Sequence, residues 1–252
     1  MFVRTINLFR LAGIPVRIDL SWFLVAVLVT WTLATGWFPV HLEGLTSGDY
    51  WIAGAGGAAG LFVSIVLHEL GHSLVSRRCG MSIRGITLFI FGGVAEMDDE
   101  PPDAKSEFLV AIASPVISAV TAFAFYGMCL DSEFLRLPPA ALAMLSYLGF
   151  VNGLMFIFNT VPAFPLDGGR ILRALLWVWN DDLRKATRIS AVIGSVIAIL
   201  FVLVGVLALV KGSVLIGVWW CMIGVFVRHA AHMSYHSCSS GALSRERRCP
   251  GS

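Results

Sequence analysis

A chain of 252 residues that is 57% hydrophobic and only 13% charged, with a mean hydropathy of +0.81, has too few ionisable groups to cover a water-facing surface. Soluble domains run at about 45–50% apolar and about 25% charged, so a soluble globular class is excluded and a membrane class is favoured. The formal charge of +2 says little as a total, no nucleic-acid partner is expected, and five scattered cysteines with no CxxC pair offer neither a disulfide framework nor a cysteine zinc site.

In chain order, Phe2–Leu8 alternates Phe2, Arg4, Ile6 and Leu8 against Val3, Thr5 and Asn7, and Val16–Asp19 follows the turn signal Gly13-Ile14-Pro15. Both read as short strands. The first apolar segment, Leu20–Trp37, is longer than a signal-peptide core and is expected to stay in place as a span. Trp51–Val75 is the second, opening on Gly54, Gly56, Gly57 and Gly60; no strand precedes these glycines, so they suit close helix packing rather than a nucleotide. Met81–Met97 is rich in β-branched and aromatic residues and broken by Gly92-Gly93, which predicts further strands. Phe108–Leu130, Ala140–Val161 and Ile189–Val210 complete five segments that meet the roughly 17–20 residues a helix needs to cross the hydrocarbon. The sixth, Val214–Val227, has 14 apolar residues between Lys211 and Arg228, whose long stems can snorkel to the interfaces. The expected fold is mostly α: a polytopic membrane protein with about six transmembrane helices, plus short membrane-associated β-strands near the cytoplasmic face. Sixteen of the eighteen cations fall on one side of that arrangement, leaving Arg136 and Lys211 opposite, so the positive-inside rule puts both termini in the cytoplasm. Residues 236–252 read as a short disordered cytoplasmic tail, and His229, His232 and His236 as a polar face of the last helix.

Chemistry concentrates at His68-Glu69-Leu70-Gly71-His72, near the cytoplasmic end of the second span. Two histidines four residues apart project from one helical face, so both imidazoles can grip one Zn²⁺ with Glu69 beside it. Ionisable groups inside a span cost about 2.5–3.5 kcal/mol each on insertion scales, and three within one helical turn demand a reason. A catalytic zinc usually takes three protein ligands and keeps one position open. The candidate third ligand is Asp167, in the segment Asn159–Arg170 after the fourth span. There Pro162 and Pro165 interrupt the helix and Gly168-Gly169 permits close backbone approach.

HExxH in one span, followed two spans later by N-x-x-P-x-x-P-L-D-G-G, resembles the site-2 proteases, zinc intramembrane metalloproteases, in the compact prokaryotic branch without a PDZ insertion. The resemblance covers about residues 1 to 235, including the Phe91–Met97 hairpin. It implies His68, His72 and Asp167 as ligands of one catalytic Zn²⁺ and Glu69 as catalytic base. Asn159, with Gly92 and Gly93, is implied to lie near the bound substrate. The sequence departs from the family at Ser114, where Gly is often seen, and at Ser118, where Asn is common. Many relatives of this branch carry CBS domains after the last helix, and with only about 17 residues there none is expected. The implied activity is hydrolysis of a peptide bond within or near the transmembrane segment of a membrane-protein substrate, in the cell membrane. A regulatory membrane partner or a homo-oligomer is also compatible with the family. The rival readings are a metal-binding membrane protein without hydrolytic activity, such as a transporter, and an inactive homologue. No internal repeat of the transporter kind is seen, and all four site residues are intact.

Overall fold

The computed structural model describes residues 5–89, 92–97, 101–131, 136–164, 166–214, 217–225 and 227–228. Phe91, Pro165, His229, His232, His236 and the 236–252 tail lie outside the described residues. The chain forms two compact units, one of Met1–Pro101 with Ala113–Ile157, the other of Pro102–Ile112 with Phe158–Ser252.

In the first unit β1 (Thr5–Leu11) and β2 (Ile14–Asp19) form an antiparallel hairpin. Its turn is Ala12-Gly13, with φ of +50° and +80°. Two successive positive φ values give the twist that a tight hairpin needs, although the sequence signal lay one residue later, at Gly13-Ile14-Pro15. β2 pairs in parallel with β3 (Ile83–Phe89), which pairs antiparallel with β4 (Gly92–Met97), giving the sheet order β1-β2-β3-β4. Along β2, Ile14, Val16 and Ile18 are buried while the residues between them are half-buried. That inward row packs with Ile86 and Leu88 of β3 on Val66, joined by Phe62, Ile65 and Leu70. These last four lie on α3 (Ser47–Arg78), so the apolar period of two in β2 seats the sheet beside the turn carrying residues 68–72.

The first span is interrupted. α1 (Ser21–Thr32) passes into a π-helical stretch, Leu33–Trp37, and then α2 (Phe38–His41). Pro39 supplies no N–H, and the Phe38 N–H bonds to the Leu33 carbonyl five residues back, the wider turn of a π-bulge. α3 opens with a capping box: Asp49 N–H donates to Thr46 Oγ1 (3.3 Å) and Thr46 N–H to Asp49 Oδ2 (3.1 Å). A Cβ at Gly54 would stand 2.7 Å from the Thr30 carbonyl oxygen and one at Gly60 2.7 Å from Leu148 Cδ2. The glycines of this span therefore serve close helix packing. α4 (Ala104–Leu130) and α5 (Pro139–Thr160) follow. Buried Asn152 of α5 donates to Ser64 Oγ on α3 at 2.9 Å and to its own Leu148 carbonyl at 2.8 Å. α5 stops at Thr160, as the approach of Pro162 requires.

In the second unit α6 (Asp167–Asn180) is a helix the sequence analysis did not anticipate, and α7 (Leu183–Val210) follows it. Asp182 caps α7 by accepting from the Arg184 and Lys185 N–H groups (2.8 and 3.2 Å). The Lys185 backbone bond, with that of Arg184 and both side-chain cations, holds the Asp182 carboxyl below the ordinary carboxylate range against a smaller opposing desolvation. Ala163, Ala198 and Val227 form this unit's small core.

Five of the six expected segments are helices long and apolar enough to cross a membrane: Ser21–His41, Ser47–Arg78, Ala104–Leu130, Pro139–Thr160 and Leu183–Val210. Of the sixth, 214, 217–225 and 227–228 are described and helical, and a Cβ on Gly205 of α7 would stand 2.5 Å from Cys221 Sγ. Fourteen residues at a rise of about 1.5 Å per residue reach about 21 Å, short of a hydrocarbon core about 30 Å thick.

Candidate metal centre

α3 carries His68, Glu69 and His72 inward, at 5%, 8% and 5% exposure. The two imidazoles stand one turn apart with ring centroids 5.4 Å apart and planes nearly perpendicular. Both residues are held from α4, His68 by its ring and its carbonyl and His72 by its backbone N–H. His68 Nδ1 lies 2.9 Å from Ser118 Oγ. With Nδ1 carrying the proton and donating to the hydroxyl, Nε2 is the nitrogen presented to a metal. Ser114 Oγ accepts the His72 N–H at 3.0 Å and donates a short bond to the His68 carbonyl. This hydroxyl can enter the helical turn because position 71 is glycine. A Cβ there would lie 3.0 Å from Ser114 Oγ and 2.7 Å from Ile117 Cδ1. Of the two residues that depart from the family pattern, Ser118 bonds the His68 ring and Ser114 bonds the backbone of the histidine turn. Their signal was present as two hydroxyls four residues apart in an apolar span, one helical face.

Glu69 is held from the sheet. Its Oε2 accepts the Ala95 N–H of β4 at 3.1 Å. A Cβ at Gly93 would fall 2.5 Å from Glu69 Cγ and 3.1 Å from Cδ, so the backbone of β4 lies directly against the carboxylate arm. Gly92 has φ +124°, a conformation that side chains strain to adopt, and open space around its Cβ position. Polar side chains run through all four strands behind this contact. Arg17 of β2 donates to Asn7 Oδ1 of β1 (3.2 Å) and to Glu96 Oε2 of β4 (3.3 Å), and Thr87 Oγ1 of β3 donates to Glu96 Oε1 (2.7 Å).

Asp167 is the first residue of α6 and is 7% exposed. A carboxylate there benefits from the positive end of the helix dipole. The preceding chain folds tightly round it. A Cβ at Gly168 would stand 2.3 Å from the Val161 carbonyl oxygen and one at Gly169 2.7 Å from the Ala163 carbonyl carbon. Asn159 is half-buried on the last turn of α5.

His68, His72 and Asp167, all buried, form a group in which each residue offers one ligand atom and these atoms lie within 4.8 Å of one another. Two imidazole nitrogens and a carboxylate oxygen are the donor set that a zinc ion takes when a fourth position is kept for chemistry, so the residues present fit the metal.

A model of peptidase family M50 matches residues 56–134 and 137–203. A Mycobacterium tuberculosis protein named as zinc metalloprotease Rip3 is 37% identical over 226 residues, which is 90% of this chain and 57% of that protein. A zinc metalloprotease of Methanocaldococcus jannaschii is 35% identical over 205 residues, 81% of this chain and 55% of that protein. The chain thus spans little more than half the length of these relatives. The solved structure of a site-2 protease from Methanocaldococcus jannaschii matches with a TM-score of 0.57 at 31% identity, over 92% of this chain and 95% of that one.

Proposed function

This chain belongs to peptidase family M50, the site-2 proteases, and on that premise we propose that it is a zinc-dependent intramembrane endopeptidase. Its substrate is a membrane protein, cut at a peptide bond within or near a transmembrane segment, and residues 1–235 form the protease domain. The observation that carries the reading is the His68, His72 and Asp167 group, with Glu69 next to the first ligand on the same buried helical turn. His68, His72 and Asp167 would hold the ion. Zinc in such a site makes water acidic near neutral pH and polarises a peptide carbonyl. Glu69 takes the proton of the attacking water and returns it to the leaving amine. The amides of a substrate helix are tied up in its own hydrogen bonds, so the helix must unwind locally to be cut. β4 ends the sheet order, and an extended segment laid along it would pass the Glu69 carboxylate, with Gly92 and Gly93 close to the substrate backbone, while a substrate role for Asn159 is supported by the family resemblance alone. Five membrane-long apolar helices support an enzyme that works inside the bilayer of a cell membrane, and placing both termini in the cytoplasm requires the sixth segment, Val214–Val227, to cross as well.

The test is metal analysis and cleavage on detergent-purified protein, parent against Glu69→Gln. The proposal expects one zinc per chain in both and loss of cleavage by at least about 10²-fold in the variant, because an amide cannot accept the proton. A variant that loses its zinc, or cuts like the parent, would overturn the assignment of Glu69 as base.

A further inference from the structure

Nothing in the chemistry above uses the deepest charge in the second unit. Glu107, on the first turn of α4, is 0% exposed. Arg173 of α6 donates to its Oε1 twice, from Nε at 2.7 Å and from a terminal guanidinium nitrogen in a shorter bond. Glu107 Oε2 is buried and has no hydrogen-bond partner among the described residues. The same guanidinium lies over the Phe164 ring, 5.5 Å from its centroid, and Phe164 is itself 5% exposed. Arg173 therefore holds three pieces of chain together: the start of α4, the turn before α6, and α6 itself. The ligand Asp167 sits between two of them, three residues after Phe164 and six before Arg173.

Burying a carboxylate completely and leaving one oxygen unbonded is costly, and a well-packed apolar pair of the same volume is often at least as stable. What an ion pair adds over an apolar one is a fixed geometry, since the planar fork of arginine meets a carboxylate at defined angles. The backbone at Ala163 and Phe164 also packs closely on Gly169 and on Gly194 of α7, and the Phe164 ring is the part that Arg173 pins. No side chain caps the start of α6, and the Leu166 N–H to Ala163 carbonyl bond (2.9 Å) closes a turn whose shape depends on where Phe164 is pinned. Accordingly, we infer that Glu107 and Arg173 are positioning residues for the metal site. Their ion pair, through the stacked Phe164, sets the angle at which α6 presents the Asp167 carboxylate. The inference rests on the reading of Asp167 as a ligand. It assigns Glu107 and Arg173 no contact with metal or substrate.

The experiment uses the full chain in detergent and reads two quantities, zinc affinity by chelator competition and the melting temperature of the zinc-free protein. The informative variant is the double replacement Glu107→Gln with Arg173→Met, which removes both charges and leaves neither buried alone. It should melt, zinc-free, close to the parent, yet bind zinc about tenfold more weakly, the order of loss seen when supporting partners of metal ligands are removed. Arg173→Lys, which keeps the charge but loses the fork and the ring stacking, should also weaken zinc binding with little change in melting. Parental zinc affinity in the double variant overturns the inference. So does a fall in zinc-free melting temperature that accounts for the lost affinity, since the pair would then be a fold staple. A parent chain that binds no zinc overturns the metal reading itself, and the inference with it.

Discussion

Replacing Gly93 by Ala tests how closely β4 sets the catalytic base. The added Cβ would meet Glu69 Cγ at 2.5 Å, Glu69 Cδ at 3.1 Å and Leu88 Cδ2 at 3.0 Å. Carbon atoms rest at about 3.5–4.0 Å, so the Glu69 arm and β4 must separate by about 1 Å. Leu88 is fully buried in the sheet core and gives little room on the other side. The Ala95 N–H bond to Glu69 Oε2, 3.1 Å in the parent, then lengthens or breaks. A misplacement of about 1 Å at a reacting group costs on the order of 10²-fold in rate. The assay is kcat/KM on a transmembrane substrate, with zinc content measured on the same samples. Zinc should remain, because the proposed site does not use Glu69 as a ligand, while kcat/KM falls by about two orders of magnitude. Gly153→Ala, on α5 with nothing within 4 Å of the added atom, is the control and should retain parental activity. Gly93→Ala with parental kcat/KM would refute the argument that β4 sets the position of the base.

Ser118→Ala removes the hydroxyl beside His68 Nδ1 and should weaken zinc binding about tenfold in chelator competition; unchanged affinity would remove Ser118 from the site. Asp167→Ala should lose most of its zinc, whereas Asp167→Glu should keep metal but lose on the order of 10²-fold in rate, from an oxygen displaced by about 1 Å. Both are read by metal analysis and cleavage with Arg170→Ala as control, and zinc retention with parental cleavage in Asp167→Ala would place the third ligand elsewhere. At the start of α7, the Asp182 carboxyl titrates below its unfolded value of 3.8. Its capping contribution is therefore fully present above that value and is lost as pH falls through the lower folded one. The melting-temperature advantage of the parent over Asp182→Ala should thus be constant above about pH 5 and shrink on acidification; an advantage that grew on acidification would reverse the sign.

Where chemistry follows local pattern, the sequence was readable. HExxH places its residues by helical period alone, the long apolar runs mark the spans, and the alternation of Ile14, Val16 and Ile18 marks a strand with one inward face. Pro162 announced a break before Asp167, and the glycines at 168 and 169 announced a close backbone approach after it. What escaped was set by partners distant in the chain. α6 was missed because Arg170 and Arg173 keep it from reading as an apolar span, although its apolar residues share one helical face, and its Arg173 pairs with Glu107, sixty-six residues earlier. The parallel pairing of β2 with β3 joins Arg17 to Thr87 across two membrane helices, and no local signal specifies it. Ser114 and Ser118 stood out as departures from a family pattern and as two hydroxyls on one face of an apolar span, but their partner, the histidine turn forty-six to fifty residues earlier, has no local signal. Gly93 read as part of a break between strands, whereas a side chain there would have no room beside Glu69.

The claim on which everything else depends is that two imidazoles and one carboxylate hold a single zinc. Zinc K-edge X-ray absorption on the metal-loaded parent reads that shell directly. The account predicts two imidazole nitrogens at about 2.0–2.1 Å and oxygen scatterers at about 2.0–2.2 Å, with an imidazole signal that drops in His72→Ala. Sulfur scatterers at about 2.3 Å, or a shell of oxygens with no imidazole, would contradict it.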